Sequence, residues 1–163
     1  MDIEKNFTDL YHSHSQKVYR LCLGYAAGDE DLAKEWHQNC FIKVWNHRHS
    51  FKGKSSVSTW IYRIAVNTCL SDLRKPNKTT SLDKIVVADH ANEDTSESTS
   101  AQLKKMHQCI DKLNHQNKTL ILLELEDIPQ ADIADTVGLK HGALRTRLSR
   151  IRQTLLKCIT NGK

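Results

Sequence analysis

The stretch Glu126-Asp127-Ile128-Pro129-Gln130-Ala131-Asp132-Ile133-Ala134-Asp135-Thr136-Val137-Gly138-Leu139-Lys140-His141-Gly142-Ala143-Leu144-Arg145-Thr146-Arg147-Leu148-Ser149-Arg150-Ile151-Arg152 reads as a helix-turn-helix. Pro129 lacks an N–H and suits a first helical turn, where that donor has no partner. Ile133, Ala134 and Val137 then form one apolar stripe. Gly138 can adopt the left-handed conformation that ends a helix. In the second helix Leu144, Leu148, Ile151 and Leu155 recur at spacings of four, three and four, which marks its core face. Arg145, Arg147, Arg150 and Arg152 project from the rest of its surface.

After Asp135 no acidic residue follows, while Lys140, four arginines, Lys157 and Lys163 do. One-sided charge of this kind suits a phosphate-lined groove, because each cation that neutralises a phosphate releases counterions. A helix-turn-helix lays its second helix in the DNA major groove. A basic helix that is merely solvated is the plainer reading of the charge alone. Turn, core stripe and unopposed arginines together favour DNA.

The composition fits that partner. The 163 residues allow one domain or two small ones, and a net charge of +5 favours an anionic ligand. No apolar run approaches the roughly 20 residues of a membrane span. The N-terminus lacks a basic-then-apolar leader, which predicts a cytoplasmic protein. Cys22, Cys40, Cys69, Cys109 and Cys158 are scattered, odd in number and never in a CxxC pair. They read as small buried hydrophobes, with His12, His14, His37, His47 and His49 at the surface. No set has zinc-ligand spacing, so neither a metal nor any other cofactor is expected.

Charge divides the chain into three: residues 1–75 carry net +3, residues 76–100 net −3 and residues 101–163 net +5. The middle stretch is rich in Asn, Thr, Ser and Asp and has no aromatics. It reads as a flexible acidic linker on which only Leu82, Ile85, Val86 and Val87 could dock. The flanks read as two small all-α domains.

In the first domain Phe7, Leu10, Tyr11, Val18, Leu21 and Tyr25 share a helix face, and Gly24 and Gly28 loosen its end. Asp29, Glu30 and Asp31 open a second helix, where acidic groups favour the positive end of the dipole. Trp36 and Trp45 widen its apolar surface, so it is either buried on two sides or offers an anchor to a partner. A basic, Gly-containing loop runs from His47 to Ser58. Thr59 then caps a third helix from Trp60 to Arg74, with Ile61, Ile64, Ala65, Cys69 and Leu73 inward. Trp60, Arg63, Asn67 and Arg74 share a neighbouring face that can stack on unpaired bases, read their edges and hold phosphates. A half-buried Trp with polar neighbours is the other reading of that spacing. In the second domain Leu103, Met106, Ile110 and Leu113 form one stripe. A break at Asn114-His115 and a Leu-rich helix from Lys118 to Glu126 then lead into the helix-turn-helix.

In this order the pieces resemble the extracytoplasmic-function (ECF) group of the sigma-70 family of bacterial RNA polymerase sigma factors. Three segments carry the resemblance: Asp31 to Trp45, with Phe41-Ile42-Lys43-Val44-Trp45; Phe51-Lys52-Gly53 through Thr59-Trp60-Ile61-Tyr62-Arg63-Ile64-Ala65-Val66-Asn67; and Asp132 to Arg152. It implies a non-catalytic subunit that binds core polymerase and directs it to promoters. Glu35, Gln38, Asn39, Phe41 and Trp45 would meet the clamp helices of the largest catalytic subunit, and the second domain the flap of the other large subunit. Lys52, Lys54, Ser55, Ser56, Trp60, Arg63, Asn67 and Arg74 would recognise and melt the −10 element. Lys140, His141, Arg145, Thr146, Arg147 and Arg150 would face the −35 element. The acidic linker would follow the polymerase's RNA path. An anti-sigma factor that covers the polymerase-binding surface is a further implied partner, and no membrane insertion is implied.

Some positions depart from the family's pattern. Lys34 and Asn39 stand where acidic residues are common and make that face less negative. Asn114 replaces the usual Pro, which predicts a less rigid turn. Two weak modules on one linker gain from effective concentration, so little promoter binding is expected without polymerase. The competing readings are a free-standing helix-turn-helix regulator, which would bind a duplex site by itself, and an enzyme. For the last there is no P-loop, Gly-rich nucleotide fingerprint, GxSxG or HExxH, and Glu124 and Glu126 lie on different helix faces.

Overall fold

The computed structural model describes residues 2–75 and 97–161. The expected linker lies outside the described residues over 76–96, as do the docking positions Leu82, Ile85, Val86 and Val87. The helix α4 begins at Glu97, so the last four residues of that acidic stretch are helical. The described residues form seven α-helices and no strand. The architecture is all-α, as expected.

In the first half, α1 spans Ile3–Tyr25, α2 Glu30–Asn46 and α3 Val57–Leu73. The Asp2 carboxylate accepts from the N–H of Glu4 and Lys5 and caps α1. Asp29 does the same for α2, with Glu30 and Asp31 in its first turn. Ser56, not Thr59, caps α3: its hydroxyl accepts from Thr59 N–H at 3.1 Å. Thr59 is fully buried inside the helix. The helix therefore starts three residues earlier than its apolar stripe suggests, at the first side chain able to satisfy an orphan N–H.

These three helices bury Val18, Leu21, Trp36, Val44, Ile61, Ala65 and the thiols of Cys22, Cys40 and Cys69. Trp36 is wholly inside, and its indole N–H donates to Asp72 at 2.7 Å. Trp45 lies 38% exposed. The two tryptophans of α2 thus split, one into the core and one to the surface. Tyr11 also turns outward and Phe7 is only half-buried, so the first helix carries two apolar faces instead of one.

In the second half, α4 spans Glu97–Asp111, α5 His115–Leu125, α6 Gln130–Val137 and α7 His141–Asn161. Asn114 caps α5 by accepting from Asn117 N–H at 2.8 Å, which gives the Pro-less turn a fixed end. Pro129 sits at the N-cap of α6, with extended ψ and its carbonyl taking the first helical bond from Ile133 N–H. The sequence placed it one position too far inside. Gly138 adopts φ +75 and ψ 30, as the turn requires. Leu144, Leu148, Ile151 and Leu155 are buried on α7 as the stripe predicts. Leu103, by contrast, remains exposed, and Cys109 and Ile110 carry the α4 contact.

The cysteines correct a further expectation. Cys22, Cys40 and Cys69 are buried thiols, but Cys109 and Cys158 form a disulfide between α4 and α7. Forty-nine residues separate them in sequence. Only the fold reveals that pairing.

The two halves touch. The helix α3 packs on α6, and α1 on α5. Gly24 lies against Leu122: a Cβ there would lie 2.5 Å from Leu122 Cδ2. It is thus a contact residue within α1, not a loose end. The hydroxyls of Tyr25 and Thr119 share a buried hydrogen bond. Arg20 Nε donates to Glu126 Oε2 at 2.7 Å, and an Arg63 guanidinium N–H donates to the Asp135 carbonyl at 2.6 Å.

Candidate nucleic-acid interface

The burial of Leu144, Leu148, Ile151 and Leu155 fixes how α7 is rotated. Lys140, His141, Arg145, Thr146, Arg147 and Arg150 are all exposed as a result. Among the described residues, the side chains of Arg145, Arg147 and Arg150 have no ion-pair partner. Arg152 differs, because its guanidinium is paired with Glu124 on α5. At roughly 100° per residue, Gly142, Thr146, Ser149 and Gln153 lie directly opposite the core stripe. The charge-based reading missed Gly142, Ser149 and Gln153, which carry no charge to draw attention. Nothing lies within 4 Å of a Cβ placed on Gly142. Its missing side chain therefore serves no internal contact.

The second candidate set sits on and before α3. Lys52 and Lys54 are exposed around Gly53, whose φ of +72 turns the basic loop. Ser55 is half-buried, and Ser56 is committed to capping α3. Trp60 is half-buried, with its ring 5.4 Å from that of Phe51. Arg63, Asn67 and Arg74 are exposed on α3 and its C-cap. Both readings of this face therefore hold in part: Trp60 is a packed ring at a core edge, and the polar groups beside it are open. Arg63 is exposed yet engaged by Asp135 on α6. Tyr62 is buried beneath them, and burial followed by the charges of Glu126 and Asp132 pushes its hydroxyl up to about 12.

A third surface lies on α2. Phe7, Tyr11, His37, Gln38, Phe41, Ile42 and Trp45 line an apolar groove of about 360 Å³. Gln38 and Trp45 are accessible there, whereas Phe41 is 5% exposed and supports the floor. Its ring meets Tyr11 and His37 edge-on at 4.8 and 5.1 Å. Burial lowers the His37 pKa, which keeps the ring neutral, and Ser15 bonds its Nε2. The Arg48 guanidinium stacks 4.1 Å above Trp45. Glu35 and Asn39 are exposed on α2 but do not line the groove. Phe7 and Tyr11 were missed as surface residues because the groove is assembled from two helices. Among the described residues no group of His, Cys, Asp or Glu could hold a metal ion. No helix among them is long and apolar enough to cross a membrane.

Comparison with known proteins identifies the two halves. The Sigma-70 region 2 family matches residues 10–79, and Sigma-70, region 4 matches residues 103–155. The chain is 31% identical to the RNA polymerase sigma-H factor of Pseudomonas aeruginosa, over 96% of this chain and 87% of that one. It is 30% identical to the ECF RNA polymerase sigma-E factor of Haemophilus influenzae, over 93% and 86%. Its fold is similar to that of CnrH solved with the cytosolic domain of CnrY, with a TM-score of 0.72, 16% identity and coverage of 98% and 91%. It is equally similar to the sigma factor RpoE of Bartonella quintana solved with the anti-sigma factor NepR, with a TM-score of 0.73, 20% identity and coverage of 96% and 98%. The α1–α3 half coincides with the first family and the α4–α7 half with the second. The chain belongs to the extracytoplasmic-function group of the sigma-70 family, the RNA polymerase subunits that direct promoter-specific transcription initiation.

Proposed function

We propose that the three surfaces divide the work of promoter recognition. The observation that carries this reading is the set of exposed arginines on α7 that have no partner within the described residues. Lys140, His141, Arg145, Thr146, Arg147 and Arg150 face the −35 duplex, joined by Ser149 and Gln153 on the outermost line of the helix. Gly142 lets the start of α7 come close to the sugar-phosphate backbone. Gly142 stands in the first turn of α7 with open space around its Cα, so a methyl group there meets nothing inside the protein. Gly142→Ala is therefore expected to leave the melting temperature close to that of the parent and to weaken −35-dependent initiation. Unchanged promoter use by the folded variant would place Gly142 outside the interface.

Lys52, Lys54 and Ser55 meet the −10 backbone, with Ser56 setting the start of α3. Trp60, Arg63, Asn67 and Arg74 then hold the melted strand. Trp60 supplies a fixed π-face, since Phe51 braces its ring, and Asn67 offers an open amide to a base edge. Unstacking a base step costs a few kcal/mol, and capture of the released base offsets part of it. Asn67→Ala is expected to slow promoter opening by about tenfold with the closed complex intact, a loss of about 1–2 kcal/mol. Permanganate reactivity of −10 thymines separates the two steps, and normal melting would remove Asn67 from this role.

The α2 groove and the exposed Glu35, Gln38, Asn39 and Trp45 around it dock on the polymerase clamp helices. The same apolar surface is the one an anti-sigma factor would cover. The second half meets the flap. We place the domain boundaries near residues 75 and 101, and the protein where polymerase works, in the cytoplasm. It contributes no catalytic group; nucleotide addition stays with core polymerase. Run-off transcription with bacterial core polymerase tests the whole scheme. Discrete starts that require this protein support it. No starts, with tight binding of the free protein to one duplex site, would favour a free-standing regulator.

A further inference from the structure

Two populations of cysteine occupy this molecule. Cys22, Cys40 and Cys69 are fully enclosed in the α1–α3 core, with Cys22 Sγ and Cys69 Sγ 3.7 Å apart. The Cys40 contact acts to lower Cys22, but the Cys69 contact and burial outweigh it and raise Cys22 above the ordinary thiol range, and the Cys22 contact and burial raise Cys40. Thiolate is the reactive form, so these groups are chemically quiet. Cys109 and Cys158 are different. They join α4 to α7 with a Cα–Cα distance of 6.0 Å. They also line a groove of about 370 Å³ together with Lys112, Leu113, Leu155 and Lys157. Among the described residues no acidic one lines that groove, and its two lysines favour both thiolate and an anionic visitor.

We propose that Cys109 and Cys158 form a reversible thiol–disulfide site whose exchange partners are anionic low-molecular-weight thiols and disulfides of the glutathione class. A polymerase subunit works where such thiols keep most cysteines reduced, so a disulfide there is a state to be entered and left, not a permanent staple. In oxidation the Cys158 thiolate, the more exposed of the two, attacks one sulfur of the small disulfide. That disulfide bond breaks, one small thiolate leaves, and a mixed disulfide forms on Cys158. The Cys109 thiolate then attacks the Cys158 sulfur, forms the protein disulfide and expels the second small thiolate. Two protein thiols are oxidised, one small disulfide is reduced to two thiols, and the two protons pass to the leaving thiolates.

The consequence lies in what the bond encloses. The closed loop contains α5, α6 and nearly all of α7, hence the whole helix-turn-helix. Cross-linking restricts the unfolded chain most when the loop is long. Oxidation therefore secures the −35 module, and reduction loosens it, with the α1–α3 core untouched.

The full chain is equilibrated in glutathione buffers from strongly reducing to strongly oxidising, acid-quenched, denatured and alkylated, then mapped by mass spectrometry. Cys109 and Cys158 are expected to pass together from alkylated to disulfide at intermediate ratios, with Cys22, Cys40 and Cys69 alkylated throughout. The oxidised form is expected to melt about 10 °C or more above the reduced form. The Cys109→Ser/Cys158→Ser variant is expected to melt at one temperature in both buffers. A pair that stays alkylated in excess oxidised glutathione would overturn the proposal. So would a pair that stays disulfide-bonded at reducing ratios, or wild-type melting points that coincide.

Discussion

Replacing Arg145 and Arg150 together with alanine is expected to lower initiation from a −35-dependent promoter by roughly 10- to 1,000-fold, the change expected for the loss of one base contact and one or two phosphate contacts. Neither side chain has an ion-pair partner among the described residues, and both are exposed. Their loss therefore leaves the fold alone, and the melting temperature of the variant should match that of the parent. The salt dependence should change as well. Each phosphate contact removed lowers the slope of log affinity against log salt by about one. The control lies on the same helix: Arg152 is paired with Glu124 on α5. Arg152→Ala should change initiation by no more than about threefold, because that charge ties α7 to α5 and an exposed pair contributes little. Quantitative run-off transcription at two salt concentrations reads all of this. Equal losses for the double variant and for Arg152→Ala would mean that net charge, not the groove face, governs binding.

That contrast shows where the sequence was informative. Period and turn chemistry located α7 and its core stripe, because Leu144, Leu148, Ile151 and Leu155 leave one solution for which side is buried. The positive φ of Gly138 was legible for the same reason: it answers a local geometric demand that few residue types can meet. Pairings across the fold were not legible. Arg145 and Arg152 look alike in one dimension, and only packing separates the open guanidinium from the paired one. Cys109 and Cys158 carry no local sign of one another. Trp36 and Trp45 share a helix and a residue type, yet the indole of Trp36 finds Asp72 and that of Trp45 sits under Arg48 at the surface. The groove on α2 escaped because one wall of it, Phe7 and Tyr11, comes from α1. Long-range contacts decide these cases, and period along one helix does not encode them.

The contact between the halves is the largest such surprise, and it bears on why a free sigma factor should read DNA weakly. The Arg63 side chain proposed for the −10 strand is held by the Asp135 carbonyl of the helix-turn-helix. A −10 strand must displace that contact, and apparent affinity falls by the fraction of molecules that are open. The contact combines the packing of α3 on α6 with that of α1 on α5, where Gly24 approaches Leu122 and Tyr25 and Thr119 share an enclosed hydrogen bond. The Arg20–Glu126 pair, half exposed on the arginine side, adds little. An indole at position 24 cannot fit where even a methyl group meets Leu122. Gly24→Trp is therefore expected to separate the halves and to raise the affinity of the free protein for a single-stranded −10 oligonucleotide by about tenfold, the change expected if roughly 1.4 kcal/mol of closure is removed. Small-angle scattering should show a larger radius of gyration, and circular dichroism an unchanged helix content. The halves remain on one chain, so the variant is expected still to initiate with core polymerase, each half binding at the effective concentration the chain provides. Separated halves with unchanged oligonucleotide affinity would show that closure does not limit access to α3. Unchanged scattering would show that the chain accommodates the indole by shifting Leu122, and Tyr25→Phe, which removes the buried hydrogen bond without adding bulk, would then be the variant that reports on the contact.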